Sequence, residues 1–365
     1  MTECFAVIAG GGTAGHLHPG LSVAKALVEN KVPREKIIFL GSDREIDKKL
    51  VPAANFELIP LAGAGLQSKK ISAVLKTAVL LMAATLSAIK LYRERRPKVV
   101  LSLGGYASFP GALAGFLLRV PVVVHEQNAV PGRTNRIVSY WAKKSAVSYR
   151  DTGMKNEVFT GNPVRSEILK FNEEMKLANR RVKGIPAENI VVVVTGGSLG
   201  ARRIHESLLS ALGKLGVNTG ITIYHIIGER DWEYLEIPTD IKTLDYRPVK
   251  YENDMPTILN IADLIVSRAG GSITAELAAV GLPAILVPLP NAPGDHQTQN
   301  AKALVKAGAA LLIPDSECTG ESLSFTIKEI LDSPRKLKQM ATNSKKCGNR
   351  AASSELARLL TEVAA

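Results

Sequence analysis

Four glycine-rich stretches, each following a short apolar run, carry most of the residues able to do chemistry in this chain. The most informative lies in ADLIVSRAGGSITAELAAVGLPAILV, residues 262–287. There the run Leu264–Val266 ends in Ser267-Arg268-Ala269-Gly270-Gly271. A helical stretch follows with Glu276 near its first turns, and Ala284–Val287 is a second apolar run. Strand, glycine loop, helix and strand in that order read as a nucleotide cradle. The free N–H groups and positive end of the helix suit a phosphate, and a carboxylate one turn further in can chelate the vicinal hydroxyls of a ribose.

Gly10-x-Gly12-x-x-Gly15 follows a strand and opens a helix, which satisfies the dinucleotide fingerprint. The acid that the fingerprint wants at the end of the second strand is absent, since Phe39-Leu40-Gly41-Ser42 precedes Asp43. His16 comes directly after the loop and His18 two residues later. A base beside a phosphate-binding loop serves a transferase; a surface or helix-capping histidine is the alternative, favoured for His18. Gly104-Gly105-Tyr106-Ala107-Ser108 again heads a helix after a strand. Val122–Val124 leads into His125-Glu126-Gln127-Asn128, where a carboxylate beside an imidazole is either a base pair or a structural hydrogen bond. Glu126 and Asn128 read as substrate-positioning groups, with Asn135 and Arg136 further along the same stretch. Gly197-Ser198 stands at a helix start where hydroxyl and amides can hold a diphosphate, with Arg165 as a charge-assisted partner. Gln297, in the polar helix opening Asp295–Ala301, can reach sugar hydroxyls, or the segment is simply a capped helix start. There is no Asp-x-Asp pair, and no glycine loop is followed by Lys-Ser or Lys-Thr. Magnesium-dependent phosphate transfer is therefore disfavoured, and neither metal nor cofactor is expected.

These loops need parallel sheets behind them. The first half offers apolar runs at Phe5–Ala9, Lys36–Leu40, Val99–Leu103 and Val122–His125. The second half offers Ile190–Val194, Thr222–Ile227, Leu264–Val266 and Ala284–Val287. β-Branched runs alternating with helical segments imply α/β architecture with both sheet faces covered. Ligands of such sheets sit beyond the carboxyl ends of the strands, so two of them facing across a cleft would be lined by the glycine loops. The expected domains are 1–163 plus about 348–365 and 164–347, with the break near Thr160-Gly161-Asn162-Pro163-Val164-Arg165 and the last helix, Ser353–Thr361, crossing back.

The 365 residues suit about two domains. A hydrophobic content of 46% excludes a disordered chain. Cys4, Cys318 and Cys347 have no paired spacing, and the first strand begins almost at once, so a reducing cytoplasm is expected. The net charge of +12 asks for an anionic partner. Nucleic acid is not expected, for want of a zinc finger, an RNP-like aromatic run or a dense arginine stripe. An anionic membrane surface is: ISAVLKTAVLLMAATLSAIKLY, residues 71–92, ends in Arg93, Arg95, Arg96 and Lys98, and its charge-free part Thr77–Ile89 is too short to span a bilayer. It could lie in the interface, or be an ordinary buried helix. The region near Phe116-Leu117-Leu118-Arg119 is another possible rim.

GGGTAGHLHPGLSVA, GGYASFPG, HEQNAVPGRTNR, TGNPVR, GGSLGARR, SRAGGSITAELAAVGLPAILVP and DHQTQNA occur in this order over about residues 3–315. Together they resemble the bacterial UDP-N-acetylglucosamine–N-acetylmuramyl-(pentapeptide) pyrophosphoryl-undecaprenol N-acetylglucosamine transferases, the MurG family. The resemblance implies a GT-B fold of two Rossmann-like domains. It implies a peripheral enzyme on the cytoplasmic membrane face that adds GlcNAc from UDP-GlcNAc to lipid I, forming lipid II in peptidoglycan synthesis. Other cell-wall synthesis proteins would be its neighbours. Carried over residue by residue, Thr13, Ala14, Gly15 and Asn128 lie at the donor, with His16 the base and Glu126 the second choice. Arg165 and Ser198 hold the diphosphate, Gly271 and Ser272 the α-phosphate edge, Glu276 the ribose and Gln297 the GlcNAc hydroxyls. Tyr251 and the backbone of Glu252 correspond to the uracil clamp, where relatives carry an apolar residue at the place of Glu252. Acceptor contacts fall to Gly12, Gly104, Gly105, Tyr106, His125 and Asn135, the phosphates of lipid I meeting the loops at Gly12, Gly104 and Gly105. Ala14 stands where the family often has a second glycine.

Three other readings follow from the same residues. A related transferase could use another lipid such as diacylglycerol, which leaves the muramyl-side loops without a purpose. A nicotinamide-dependent oxidoreductase fits the first fingerprint but lacks the ribose acid. A non-catalytic sugar-nucleotide sensor would not need His16.

Overall fold

The computed structural model describes residues 3–61, 71–197, 200–215, 220–238, 241 and 244–365, with the side chains of 71–76 left aside. Ser198 therefore lies outside the described residues. The chain divides into two compact units, one reaching Arg165 and including 349–365, the other spanning Ser166–Gly348.

In the first unit, Ala6–Ala9 (β1), Ile37–Ser42 (β2), Glu57–Leu61 (β3), Val99–Ser102 (β4), Val122–Glu126 (β5), Lys144–Val147 (β6) and Glu157–Phe159 (β7) form one sheet. Its order is β3-β2-β1-β4-β5-β6-β7 and its neighbouring pairs are parallel. Runs of Val, Ile and Leu without alternation belong in such a sheet because both faces are covered. Val7 and Ile8, or Leu101 and Val100, point to opposite faces and are all fully buried. Helices Ala14–Glu29 (α1), Glu45–Ala53 (α2), Ile71–Arg95 (α3), Ser108–Leu117 (α4) and Arg133–Ser139 (α5) supply the cover. Helix α3 shows a divided face: Ala84, Ala88, Leu91 and Tyr92 are buried while Val79, Met82 and Leu86 are exposed. No helix among the described residues is long and apolar enough to cross a membrane.

The second unit repeats the plan with Glu173–Val182 (α6), Ile190–Thr195 (β8), Arg202–Leu215 (α7), Ile221–Ile226 (β9), Glu229–Trp232 (α8) and Asp245–Val249 (β10). Met255–Ile261 (α9), Leu264–Ser267 (β11), Gly271–Val280 (α10), Ala284–Leu286 (β12), His296–Lys306 (α11), Ala310–Leu312 (β13), Gly320–Leu331 (α12) and Pro334–Cys347 (α13) complete it. The sheet order is β10-β9-β8-β11-β12-β13, again parallel. A final helix, Ala352–Ala364 (α14), packs on α1, its Leu356, Ala357 and Leu360 fully buried in the first unit's core. Asn349 Nδ2 ties the crossing to the Thr160 carbonyl at 2.9 Å.

In each sheet the strand order reverses direction beside the first strand, between β1 and β4 and between β8 and β11. Helices leave to opposite faces at such a point, and the crevice beyond the strand ends is where ligands bind. The loops after β1, β4, β8 and β11 are the four glycine-rich stretches.

Candidate active site

In the first unit the chain leaves β1 through three glycines and enters α1 with Thr13 as the preceding residue. Thr13 does not cap the helix with its side chain; its hydroxyl lies 3.1 Å from Nδ1 of His16. The His16 ring rests on the loop after β4. A Cβ on Gly105 would come 3.2 Å from the ring Cε1, and Gly105 has φ +77°, so only glycine suits both backbone and ring. Part of the imidazole meets solvent, yet protein atoms crowd it. That burial lowers its pKa below 6.5, against the opposing pull of the Glu126 carboxylate, the Gly11 carbonyl and Asp47. The ring is neutral at pH 7 and able to accept a proton.

Glu126 ends β5 and is 1% exposed. Its Oε1 accepts from the Asn128 N–H (2.9 Å) and Nδ2 (3.2 Å); its Oε2 accepts from the Gly132 N–H (3.0 Å) and Asn135 Nδ2 (2.8 Å). The same Asn135 nitrogen also donates to the His125 carbonyl at 3.0 Å. A Cβ on Gly104 would come 3.0 Å from it. His125 is fully buried: Nε2 donates to the Gly161 carbonyl (3.2 Å) and Nδ1 accepts from Gln127 Nε2 (3.1 Å). Burial lowers its pKa to about 4. Tyr106 is half-buried on the β4 loop, and burial raises its pKa. On the other side of His16, the Gly12 N–H donates to Oδ2 of fully buried Asp47 (2.8 Å), whose Oδ1 accepts from the Ser42 N–H (2.8 Å). Exposed Arg44 donates from Nη1 to the Gly12 carbonyl at 3.0 Å.

In the second unit Gly270 enters α10 in extended conformation, Gly271 is buried and Ser272 half-buried. Glu276, on the second turn, is only 4% exposed. Gln297 accepts at Oε1 from the Ala269 N–H (3.2 Å) and the Leu289 N–H (2.9 Å). Two backbone donors on one oxygen fix the amide flip and turn Nε2 outward as a donor. Asn300 Nδ2 donates to the Ala269 carbonyl (3.0 Å), so the start of α11 is stapled to the loop after β11. Arg268, paired with Asp315 at 2.5 Å, donates to the carbonyls of Val287 and Pro288 and joins the ends of β11 and β12. Tyr251 is exposed. The Glu252 side chain accepts from Lys183 Nζ and the Tyr224 hydroxyl, both at 2.9 Å.

Two family models match the chain: the glycosyltransferase family 28 N-terminal domain over residues 6–147, and the family 28 C-terminal domain over 191–356. A UDP-N-acetylglucosamine–N-acetylmuramyl-(pentapeptide) pyrophosphoryl-undecaprenol N-acetylglucosamine transferase of Desulforamulus reducens is 35% identical, with 98% of each chain covered. The enzyme of the same name from Thermodesulfovibrio yellowstonii is 36% identical over 92% of each. The chain belongs to this transferase family. The crystal structure of Acinetobacter baumannii MurG matches with a TM-score of 0.75 at 29% identity, over 99% of this chain and 100% of that one. The fold is GT-B, as the resemblance implied, and the protein is a glycosyltransferase.

Of the residues named from sequence, the transferase brings together His16, Thr13, Gly105, Glu126, Asn128 and Asn135 at the strand ends of one sheet. Gly271, Ser272, Glu276 and Gln297 gather at the strand ends of the other. Arg165 is the last residue of the first unit before the chain enters the second. Four expectations need correction. Glu126 is not placed as a proton acceptor, because both its oxygens are already held by N–H donors; it organises the loop that carries Asn128. His125 cannot meet an acceptor, since its ring is sealed and both nitrogens are used internally. Asn135 is 2% exposed and braces Glu126 rather than facing solvent. The Gly12 amide is not open to a phosphate, because a carboxylate occupies it. Sequence reasoning missed Asp47, Arg44 and Arg268. The only signal for Asp47 was an acid close behind Gly41-Ser42, where the fingerprint looks for one. Here it binds the glycine loop instead of a ribose.

Proposed function

We propose that the protein transfers GlcNAc from UDP-GlcNAc to the 4-hydroxyl of MurNAc in undecaprenyl-pyrophosphoryl-MurNAc-pentapeptide (lipid I), with inversion, to give β-1,4-linked lipid II. The observation that carries this reading is His16: a neutral imidazole, aimed by Thr13 and Gly105, at the switch point of a sheet whose relatives are named for this reaction. The acceptor oxygen attacks the anomeric carbon from the face opposite UDP. A C–O bond to the acceptor forms as the C–O bond to the diphosphate breaks, the acceptor proton passes to His16, and UDP leaves as the anion. The N-terminus of α10 and its loop receive the phosphates, with Arg165 and Ser198 as further partners, while Glu276 takes the ribose, Gln297 Nε2 donates to a GlcNAc hydroxyl and Tyr251 with the Glu252 backbone holds the uracil. The Glu252 side chain faces Lys183 and Tyr224, so its difference from the apolar residue of relatives leaves that backbone role intact.

The acceptor's lipid calls for a membrane surface, at the cytoplasmic face. Helices α3 and α4 pack together, as do α4 and α5. They expose Val79, Met82, Leu86, Phe116, Leu117 and Ile137, with Tyr140 just beyond α5. Lys90, Arg93, Arg133 and Arg136 are exposed on the same elements, as is Arg119 just beyond α4, and they suit anionic head groups. The deciding assay is transfer of labelled GlcNAc from UDP-GlcNAc to a lipid-I analogue with excess EDTA present. Turnover yielding a β-1,4 disaccharide is expected. Absence of turnover while UDP still binds would replace lipid I by another acceptor.

A further inference from the structure

The donor-side glycine loop between β8 and α7 is held from beneath by a chain of buried rings. The Ala201 N–H donates to His205 Nε2 at 3.0 Å. His205 Nδ1 lies 2.8 Å from His225 Nε2, and His225 Nδ1 lies 2.9 Å from the Tyr246 hydroxyl. Both histidines are fully buried and Tyr246 is half-buried. With neutral rings one arrangement of protons satisfies these three contacts together. His205 Nε2 accepts, so its proton sits on Nδ1 and is donated to His225; His225 then carries its proton on Nδ1 and donates to the Tyr246 oxygen. Burial, the dominant influence on each ring, favours this neutral state.

The loop has no slack at this end. The Gly200 N–H donates to the Gly197 carbonyl at 3.0 Å. Gly200 has φ +76°, and a Cβ there would come 2.4 Å from Asp231 Oδ2 and 3.1 Å from the Ile227 carbonyl. Asp231 is buried, stands 3.8 Å from His205 Nε2 and is paired with Arg230 at 2.8 Å. Arg268 adds its charge to the surroundings of His205. Where the chain turns from loop into helix, the Ala201 amide points at one imidazole.

We propose that His205, His225 and Tyr246 are positioning residues for the donor diphosphate. By drawing the Ala201 N–H inward they fix the geometry in which Gly200, Ala201 and the first turn of α7 meet the phosphate. The proposal rests on the reading of this unit as the UDP-sugar site and adds to it the residues that hold the loop.

Two substitutions separate this role from packing. Gln at 205 places its oxygen near the position of Nε2 and keeps an acceptor for Ala201, while giving up the link to His225. Asn at 205 reproduces the Nδ1 side and leaves Ala201 without a partner. UDP affinity measured by calorimetry is expected to stay within about threefold of wild type in His205→Gln and to fall about tenfold in His205→Asn, the range for one backbone hydrogen bond. Amide exchange at Ala201, followed in the protein without UDP, is expected to be slow in wild type and His205→Gln and fast in His205→Asn. Equal UDP affinity and equal Ala201 exchange in His205→Asn and wild type would overturn the proposal, as would equal losses in both variants. A wild-type protein that shows the exchange pattern but binds no UDP would refute the functional reading and confine the rings to loop geometry.

Discussion

Glu126→Gln is the substitution that best separates loop architecture from chemistry. The change is nearly isosteric, yet it replaces one of two acceptor oxygens by an NH2 group. Each oxygen faces two N–H donors: Oε1 those of Asn128, Oε2 those of Gly132 and Asn135. Whichever side the new NH2 takes, two charge-assisted bonds become donor–donor contacts in a site that is 1% exposed. At about 1.5–3 kcal/mol for each bond to a charged group, the expected loss is about 3–6 kcal/mol. That is a large share of the roughly 5–15 kcal/mol that holds a domain folded. For a unit of this size, about 2–4 °C per kcal/mol predicts a fall of at least about 6 °C in the midpoint of the transition that includes the first unit. Scanning calorimetry, with amide exchange over Asn128–Gly132, measures it. A variant with wild-type midpoint and exchange but abolished turnover would refute the reasoning and restore Glu126 as a proton acceptor.

Four further outcomes are expected. His16→Ala should lower kcat by about 10²–10⁴, the usual range for a lost general base, with little change in donor affinity; a comparable loss of donor affinity would make His16 a binding residue. Because burial holds the His16 pKa below 6.5 and the base must be unprotonated, activity should fall on acidification only below pH 6.5; an acid limb centred above that value would exclude His16. Glu276→Ala should chiefly raise the KM for UDP-GlcNAc, and an unchanged KM would remove it from the ribose site. Stability should also depend on pH in a defined window. His125 and His205 titrate at about 4 when folded and near 6.5 when unfolded, so the unfolded chain binds more protons between these values. Their contribution is complete above pH 6.5 and is lost as pH falls toward 4, about 3 kcal/mol for each ring. Urea midpoints unchanged from pH 7 to 4.5 would contradict this.

The strands legible in the sequence were those buried on both faces, where Val, Ile and Leu run together: β1, β2, β4 and β5 in one sheet, β8, β9, β11 and β12 in the other. The strands that escaped were β3, β6, β7, β10 and β13, toward the sheet edges. At the edge strands β3, β7, β10 and β13 one side has no strand partner, and the residues of Glu57–Leu61 and Asp245–Val249 are mixed; β6 and β13 are only four and three residues long. Glycine loops were legible because positive φ at Gly12, Gly104, Gly105, Gly197 and Gly200 leaves a mark in residue type. What those loops are fastened to was not. Asp47, His205 and Arg268 act through partners far off in sequence or against a backbone N–H, and a carboxylate or imidazole carries no sign of whether it faces substrate or its own loop. The same ambiguity misassigned His125 and Glu126, which adjoin the site but use their polar atoms inward.

The fastening of the two loops bears on which ligand each can take. In the first unit the Gly12 N–H is spent on the Asp47 carboxylate, so a phosphate brought there would meet a buried negative charge in place of an open donor. Exposed Arg44, holding the Gly12 carbonyl, is a cation on the same loop. In the second unit the Ala201 N–H is spent on a neutral imidazole, and the Asp231 charge below Gly200 is met by Arg230. On the proposed function, a diphosphate is better received after β8 and β11, and a hydroxyl about to lose its proton after β1, beside His16. Sequence pattern alone makes the two loops equivalent. The side chains beneath them supply the asymmetry that a transfer from nucleotide to hydroxyl requires.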